Sequence, residues 1–186
     1  KYYKMSETDT KFKLDLDYKL GLHQALNQES EVWDFATEKY DPEHLEYDMC
    51  NFMLNNNGIG LAANQIDITK RVFVMGSLNI PNFPQPFALF NPVILETSDE
   101  LVLDKEGCLS FPGLFLSLSR PKWIVAQYQN SKGDTKEAKI DGYLAKCFQH
   151  ELDHLNGICF VDKVGRLKLQ LALKKLRKRL KNDRAK

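Results

Sequence analysis

Gln149-His150-Glu151-Leu152-Asp153-His154-Leu155-Asn156-Gly157 places two histidines four residues apart, with a glutamate beside the first. On an α-helix, residues at that spacing share a face one turn apart, so both imidazoles can reach one metal ion. Glu151 then sits where a carboxylate can reach water at that ion without being a ligand. The flanking residues supply the helix: Asp141-Gly142 opens it, Asn156-Gly157 closes it, and Leu144, Phe148, Leu152 and Leu155 give it a buried stripe. A purely structural histidine pair is the plainer alternative, and the helical context weighs against it.

Catalytic divalent metals usually keep three protein ligands and one open position, so a third ligand must come from elsewhere. The metzincin pattern would put a histidine six residues beyond His154, where this chain has Phe160. Thermolysin-like proteases use a downstream glutamate, and none follows Glu151. His23 and His44 lie in the least legible third of the chain. Cys108, by contrast, stands in Glu106-Gly107-Cys108-Leu109-Ser110, just after a predicted strand. Cys108, His150 and His154 are therefore the best supported ligand set.

Further out, Asp41-Pro42 reads as an N-cap with proline in the first turn, and Leu45, Met49, Phe52 and Met53 recur at helical spacing, which predicts a helix over 42–56. Asn55-Asn56-Asn57-Gly58 ends it and leads into a loop, Gly58-Ile59-Gly60. Short runs of branched and aromatic residues predict strands at 71–75, 87–90, 93–96, 101–104, 123–128 and 135–140, with a hairpin turn over 130–134. The series predicts an α+β fold: a mostly antiparallel β-sheet packed around a central metal-binding helix, with a C-terminal helix.

Composition narrows the class. With 43% hydrophobic residues among 186, the chain can close one core without staples. No apolar run approaches the roughly 18 residues of a membrane span, so no membrane partner is expected. The opening KYYKMSETDTKFKLDLD lacks the apolar stretch of a secretory signal, and a start at Lys1 suggests that the natural beginning is missing. Cys50, Cys108, Cys147 and Cys159 lie far apart with no Cys-x-x-Cys pair, which excludes a zinc ribbon and favours a reducing compartment.

Charge is uneven. Residues 163–186 carry eleven Lys and Arg against Asp183 alone, leaving 15 basic and 24 acidic residues in 1–162. Leu169, Leu173, Leu176 and Leu180 form an apolar stripe among Lys174, Lys175, Arg177, Lys178, Arg179 and Lys181. The expected division is a catalytic domain over 1–162 and a basic amphipathic C-terminal helix over 163–186. An anionic partner such as nucleic acid would suit that helix; a solvated face is the plainer alternative.

Three separated stretches occur in order: Gly58-Ile59-Gly60-Leu61-Ala62-Ala63-Asn64-Gln65, Glu106-Gly107-Cys108-Leu109-Ser110, and the nine residues from Gln149 to Gly157. With them the chain resembles the peptide deformylase family, which carries G-φ-G-L-A-A-x-Q, E-G-C-φ-S and Q-H-E-φ-D-H-φ-x-G. The resemblance covers roughly residues 42–180, and residues 1–40 match it poorly. It implies a metallohydrolase that removes the N-formyl group from N-formylmethionyl peptides, releasing formate, during N-terminal processing of new proteins. Cys108, His150 and His154 would hold the metal, Glu151 would move the proton, and the Gln65 side-chain amide with the Leu109 backbone N–H would face the oxyanion.

Expected substrate contacts are Ile59, Gly60 and Gly107. Tyr143 and Cys147, on the histidine face of the helix, would line the pocket for the methionine side chain. Position 115, an arginine in many bacterial deformylases, is Phe115. The ligands suit zinc by softness and geometry, whereas the resemblance implies Fe2+, with Zn2+, Ni2+ or Co2+ accepted in the isolated protein. It also implies ribosome contact through the basic C-terminal helix, in the cytoplasm or an organelle with bacterial-type translation. On the residues alone two other classes stay open. One is a general metalloprotease or small-amide hydrolase; the other is a binding module with a structural metal, against which an intact Glu151 argues, because a closed site needs no base.

Overall fold

Asp41 starts the first helix, α1 (Pro42–Asn55): its carboxylate accepts a hydrogen bond from the His44 backbone N–H at 2.8 Å, and proline in the first turn forfeits no helical bond. Leu45, Met49 and Met53 recur along one face and are buried against Trp33, Val72, Val74 and Phe90. The structure is a computed structural model and describes residues 24–80 and 83–183; the N-terminal stretch, with His23, lies outside them.

Among the described residues seven strands follow: β1 (Gly60–Ala62), β2 (Val72–Met75), β3 (Phe87–Thr97), β4 (Leu101–Cys108), β5 (Phe111–Pro121), β6 (Trp123–Gln129) and β7 (Thr135–Asp141). The chain then forms α2 (Gly142–Leu155) and α3 (Arg166–Asp183), with short 3-10 turns at Gln24–Asn27, Ala63–Ile66 and Phe160–Lys163. Among the described residues all pairings between these strands are antiparallel: β1-β2-β3-β6-β7 make one sheet with β1 at its edge, and β4-β5 make a separate hairpin. The α+β architecture is the one expected, and among the described residues no helix is long and apolar enough to cross a membrane.

Three elements depart from expectation. The runs 87–90 and 93–96 are one strand, β3, bent where Asn91 adopts left-handed backbone (φ 49°) and the register with β6 shifts between Phe90 and Val93. The Asn91 side chain ties this bulge down: Oδ1 accepts from the Trp33 N–H at 2.7 Å, and Nδ2 donates to the Trp33 carbonyl and to Gln129 Oε1. No strand is expected over 111–121, yet Leu114, Leu116, Leu118 and Arg120 alternate inward along β5. Pro112 and Gly113 hide that period, since both are poor strand residues. The loop expected at 58–60 turns into β1 at Gly60.

Helix α2 lies between the sheet and the hairpin. Phe148, Leu152 and Leu155 pack on Phe73, Leu89, Ile124 and Ala126, with Phe148 edge-on to Phe73 at 5.1 Å between ring centroids. A further apolar cluster sets Leu169 and Leu176 of α3 against Phe111, Leu114, Leu116 and Leu118. Lys168 Nζ donates to the Ser117 carbonyl at 2.6 Å. The C-terminal helix thus shares a core with the β4-β5 hairpin, while Leu180 is 39% exposed.

The face of α2 toward the hairpin is polar and buried, which is costly unless every charge finds a partner. Arg120 supplies one. Its Nε and Nη2 donate to the two Glu106 oxygens at 2.5 and 2.9 Å, and its Nη1 donates to Asp153 Oδ2 on α2 at 2.8 Å. Burial pushes the Glu106 carboxyl up, but the Arg120 guanidinium and the bond from His150 outweigh it and hold the group at about 2, against 4.5 ordinarily.

The unfolded chain therefore takes up the Glu106 proton first. This contribution to stability is complete above pH 4.5 and disappears as pH falls through about 2; the shift corresponds to about 3 kcal/mol. Arg120→Met strands the carboxylate and should lower stability at neutral pH by about 3–5 kcal/mol. Urea titrations between pH 2 and 7 check both effects; a variant as stable as the parent at pH 7 would remove the network from this role.

Candidate metal centre and active site

Local backbone aims the ligands. At the end of β4 the hairpin register slips between Gly107, which faces Phe115, and Cys108, which faces Phe111, and such a bulge re-aims the side chain that follows. Cys108 Sγ lies 3.2 Å from His154 Nε2. The two imidazoles, one turn apart on α2, stand nearly perpendicular with ring centroids 4.9 Å apart. Among the described residues, Cys108, His150 and His154 form the group whose donor atoms, all within 4.8 Å of one another, could share a metal ion.

The surroundings fix which atoms face inward. Glu106 Oε2 lies 3.0 Å from His150 Nδ1, so a proton on that nitrogen satisfies the carboxylate and leaves Nε2 as a donor atom. His154 Nδ1 has Cys159 Sγ at 3.9 Å, and the His154 carbonyl accepts from Asn64 Nδ2 at 2.5 Å, which pins the end of α2 to the turn after β1. Burial works to deprotonate His150, yet the Cys108 and Glu106 hydrogen bonds outweigh it and raise the ring to about 10. His154 is pushed well below its ordinary value by burial and then by His150. Two adjoining rings that cannot both be charged, beside a thiol, make a donor set suited to one shared cation.

Glu151 lies on the same helix, 4% exposed, and burial pushes its carboxyl up to about 7 while the charges of His150 and Arg120 pull it back. Its Oε2 is buried without a hydrogen-bond partner, a cost tolerated where a ligand or water is to be met. Gln65 is anchored twice: Oε1 accepts from the Ala62 N–H at 2.8 Å and Nε2 donates to Ser110 Oγ at 2.9 Å. The same Nε2 lies 3.5 Å from Cys108 Sγ.

These groups open on a cavity of about 480 Å3. Ile59, Gly60, Gln65, Gly107, Cys108, Leu109, Tyr143, His150 and Glu151 all line it, so the structure brings these candidate residues together. His154 lies fully buried behind Cys108. Cys147 departs from expectation: it belongs to the core beneath the cavity, its thiol donating to the Ile59 carbonyl at 3.4 Å, and burial raises its pKa well above the ordinary value. The turn of α2 that presents His150 and His154 tilts Cys147 toward β1, so it supports the floor instead of lining it. Gly60 is required there, because a Cβ would collide with Glu151 Oε1 and Cys147 Sγ. At Gly107 a Cβ would come 2.6 Å from the ring of Phe115, so that half-exposed ring would have to move aside.

Sequence reasoning missed Arg120, Asp153, Ser110 and Asn64 as supporting residues. The last three stand inside the quoted motifs, where a polar residue beside a ligand is itself the signal. Arg120 carries none, being recognisable only once β5 is known to return beside Glu106.

Comparison with known proteins agrees with this geometry. The polypeptide deformylase family matches residues 20–170, so the match begins well before residue 42 and ends ten residues short of 180. The peptide deformylase of Bartonella bacilliformis is 42% identical over 147 residues, 76% of this chain and 81% of that protein. That of Thermotoga maritima is 44% identical over 128 residues, 69% of this chain and 75% of its own. A probable peptide deformylase from Synechococcus phage S-SSM7 superimposes with a TM-score of 0.69 at 41% identity, covering 75% of this chain and 93% of the phage protein. The Synechococcus elongatus enzyme, solved with actinonin, gives 0.73 at 37% identity over 83% and 86% of the two chains. A Cys-His-His cluster beside a buried glutamate, on a fold shared with these enzymes, assigns the chain to the peptide deformylase family, whose members hydrolyse the N-formyl group of N-formylmethionyl peptides in protein maturation.

Proposed function

We propose that Cys108, His150 and His154 hold one divalent metal, Fe2+ in the cell and Zn2+, Ni2+ or Co2+ as accepted substitutes, and that Glu151 is the proton carrier of the deformylation. The observation that carries this reading is the buried, unpartnered Glu151 Oε2 beside three convergent donor atoms at the head of the cavity. When bound, such an ion supplies Lewis acidity, polarising a carbonyl oxygen and lowering the pKa of water.

The protein does the rest. β1 is an edge strand, so the peptide backbone lies extended beside Ile59 and Gly60, with Gly107 opposite and the methionine side chain toward Tyr143. Glu151 accepts a proton from the water that attacks the formyl carbon, then delivers one to the departing amine nitrogen; a carboxyl near pH 7 can do both. Ser110 fixes the Gln65 amide so that its second N–H, with the Leu109 backbone N–H, points to the developing oxyanion. Formate and a free amino terminus result.

Residues 1–162 hold this machinery, and the outward basic face of 163–186 contacts ribosomal RNA phosphate, in the cytoplasm or an organelle with bacterial-type translation. Lys174 and Lys181 are exposed, and the attraction of such cations to nucleic acid weakens with salt.

Glu151→Gln should retain metal and fold while kcat for a formyl-Met peptide falls by about 100- to 10,000-fold; near-normal turnover of the metal-loaded variant would refute the proton role. Cys108→Ser should lower metal content or change the metal retained, read by elemental analysis, because a hydroxyl is a poorer soft ligand than a thiolate. Lys174→Glu with Lys181→Glu should leave turnover of a short formyl peptide intact and abolish salt-sensitive co-sedimentation with ribosomes. Undiminished co-sedimentation would end the docking reading.

A further inference from the structure

Beside the catalytic cavity lies a second one of about 580 Å3, between the β4-β5 hairpin and α3. Both are lined by Gly113, Leu114 and Phe115, so a chain leaving the first passes directly onto the second. The charges lining the second cavity have one sign: Lys105, Lys175, Lys178 and Arg179, with no acidic residue. Arg179 is already engaged, its Nη2 donating to the Gly113 carbonyl at 2.7 Å. That bond fixes α3 to the rim common to both cavities, and Gly113 (φ 77°) admits it because a Cβ would come 2.6 Å from the guanidinium.

The other three cations are held for something else. Lys105 Nζ sits 4.7 Å above the ring of Phe115. Among the described residues, no carboxylate lies within ion-pair distance of Lys105, Lys175 or Lys178. Like charges around one concavity repel unless an anion is shared. The deformylated end of the substrate fixes what arrives there. Gly113, Leu114 and Phe115 form the boundary between the two cavities, and an extended peptide advances roughly 3.3–3.6 Å per residue, so residues beyond the first two of a substrate seated in the first cavity run across this rim.

We propose that the basic cavity is a subsite for acidic side chains at positions three to five of the formyl-peptide substrate, with Lys105, Lys175 and Lys178 as the recognising cations. The inference rests on the proposed seating of the formyl end at Cys108, His150 and Glu151. It makes this chain a deformylase with a preference written beyond the first residue, through steering and weak rim contacts that act mainly on KM.

The test compares formyl-Met-Ala peptides extended by three Glu, three Gln or three Lys, at low and high salt, on the full metal-loaded chain. The Glu peptide should exceed the Gln peptide in kcat/KM by about five- to tenfold at low salt, and the Lys peptide should fall below both. Salt should shrink the preference, and Lys175→Glu with Lys178→Glu should abolish or invert it. Formyl-Met-Ala itself should be turned over equally by parent and variant, which also reports that the variant is folded. Should that variant misfold, Lys175→Gln with Lys178→Gln carries the same expectation of lost preference. Equal rates for Glu and Gln peptides would overturn the subsite. So would a variant that keeps the preference, or one that loses only ribosome co-sedimentation, since the cations would then serve nucleic acid. Failure of the parent to process formyl-Met-Ala at all would strike the catalytic reading instead.

Discussion

The guanidinium of Arg120, held between the carboxylates of Glu106 and Asp153, joins the end of β5 to the end of β4 and to the last turn of α2. An enzyme that needs two imidazoles and a carboxylate on one buried helix face has an electrostatic difficulty before it has a mechanism. Each charged or polar atom removed from water costs several kcal/mol unless it is met. Arg120 meets two carboxylates at once, and Glu106 passes the effect to His150 through Nδ1. The protonation of His150, a proposed metal ligand, therefore depends on a side chain that lines no part of the cavity.

Given that anchor, the remaining geometry follows from backbone. The bulge after Gly107 aims Cys108 at the helix, and the close pass of β1 over Glu151 leaves room for glycine only at Gly60. The edge of β1 then offers main-chain groups to an extended peptide, a mode of binding that tolerates many sequences. Selectivity has to be added by side chains, and on one side those come from α3.

The sequence made the helices legible and blurred the hairpin. Helix α1 carries a capping aspartate, both α1 and α2 carry a 3.6-residue period, and those local signals survive any tertiary context. Among the described residues strand β5 pairs with β4 alone, and its start holds Pro112 and Gly113, so its period of two becomes visible only when Leu114, Leu116 and Leu118 are seen packed on α3. That Cys108, His150 and His154 come together was legible because spacing on one helix and elimination of rivals need no fold. Cys147 was misplaced because helical spacing tells which face a residue shares but not how far that face is covered; β1 covers it. The role of Arg120 depends on a contact across 14 residues to Glu106 and 33 to Asp153, which no local pattern records.

Four thiols on one chain are not four equal targets. Burial keeps the Cys50 and Cys159 thiols protonated up to about 12, and Cys147 beyond its ordinary range. Oxidation and alkylation proceed through the thiolate, so the raised values protect these three, and Cys147 and Cys159 are buried besides. Cys108 alone among them lines the catalytic cavity. A peroxide or small electrophile that enters the cavity therefore meets the sulfur on which the proposed metal centre depends, and a single such encounter would cost that centre a donor.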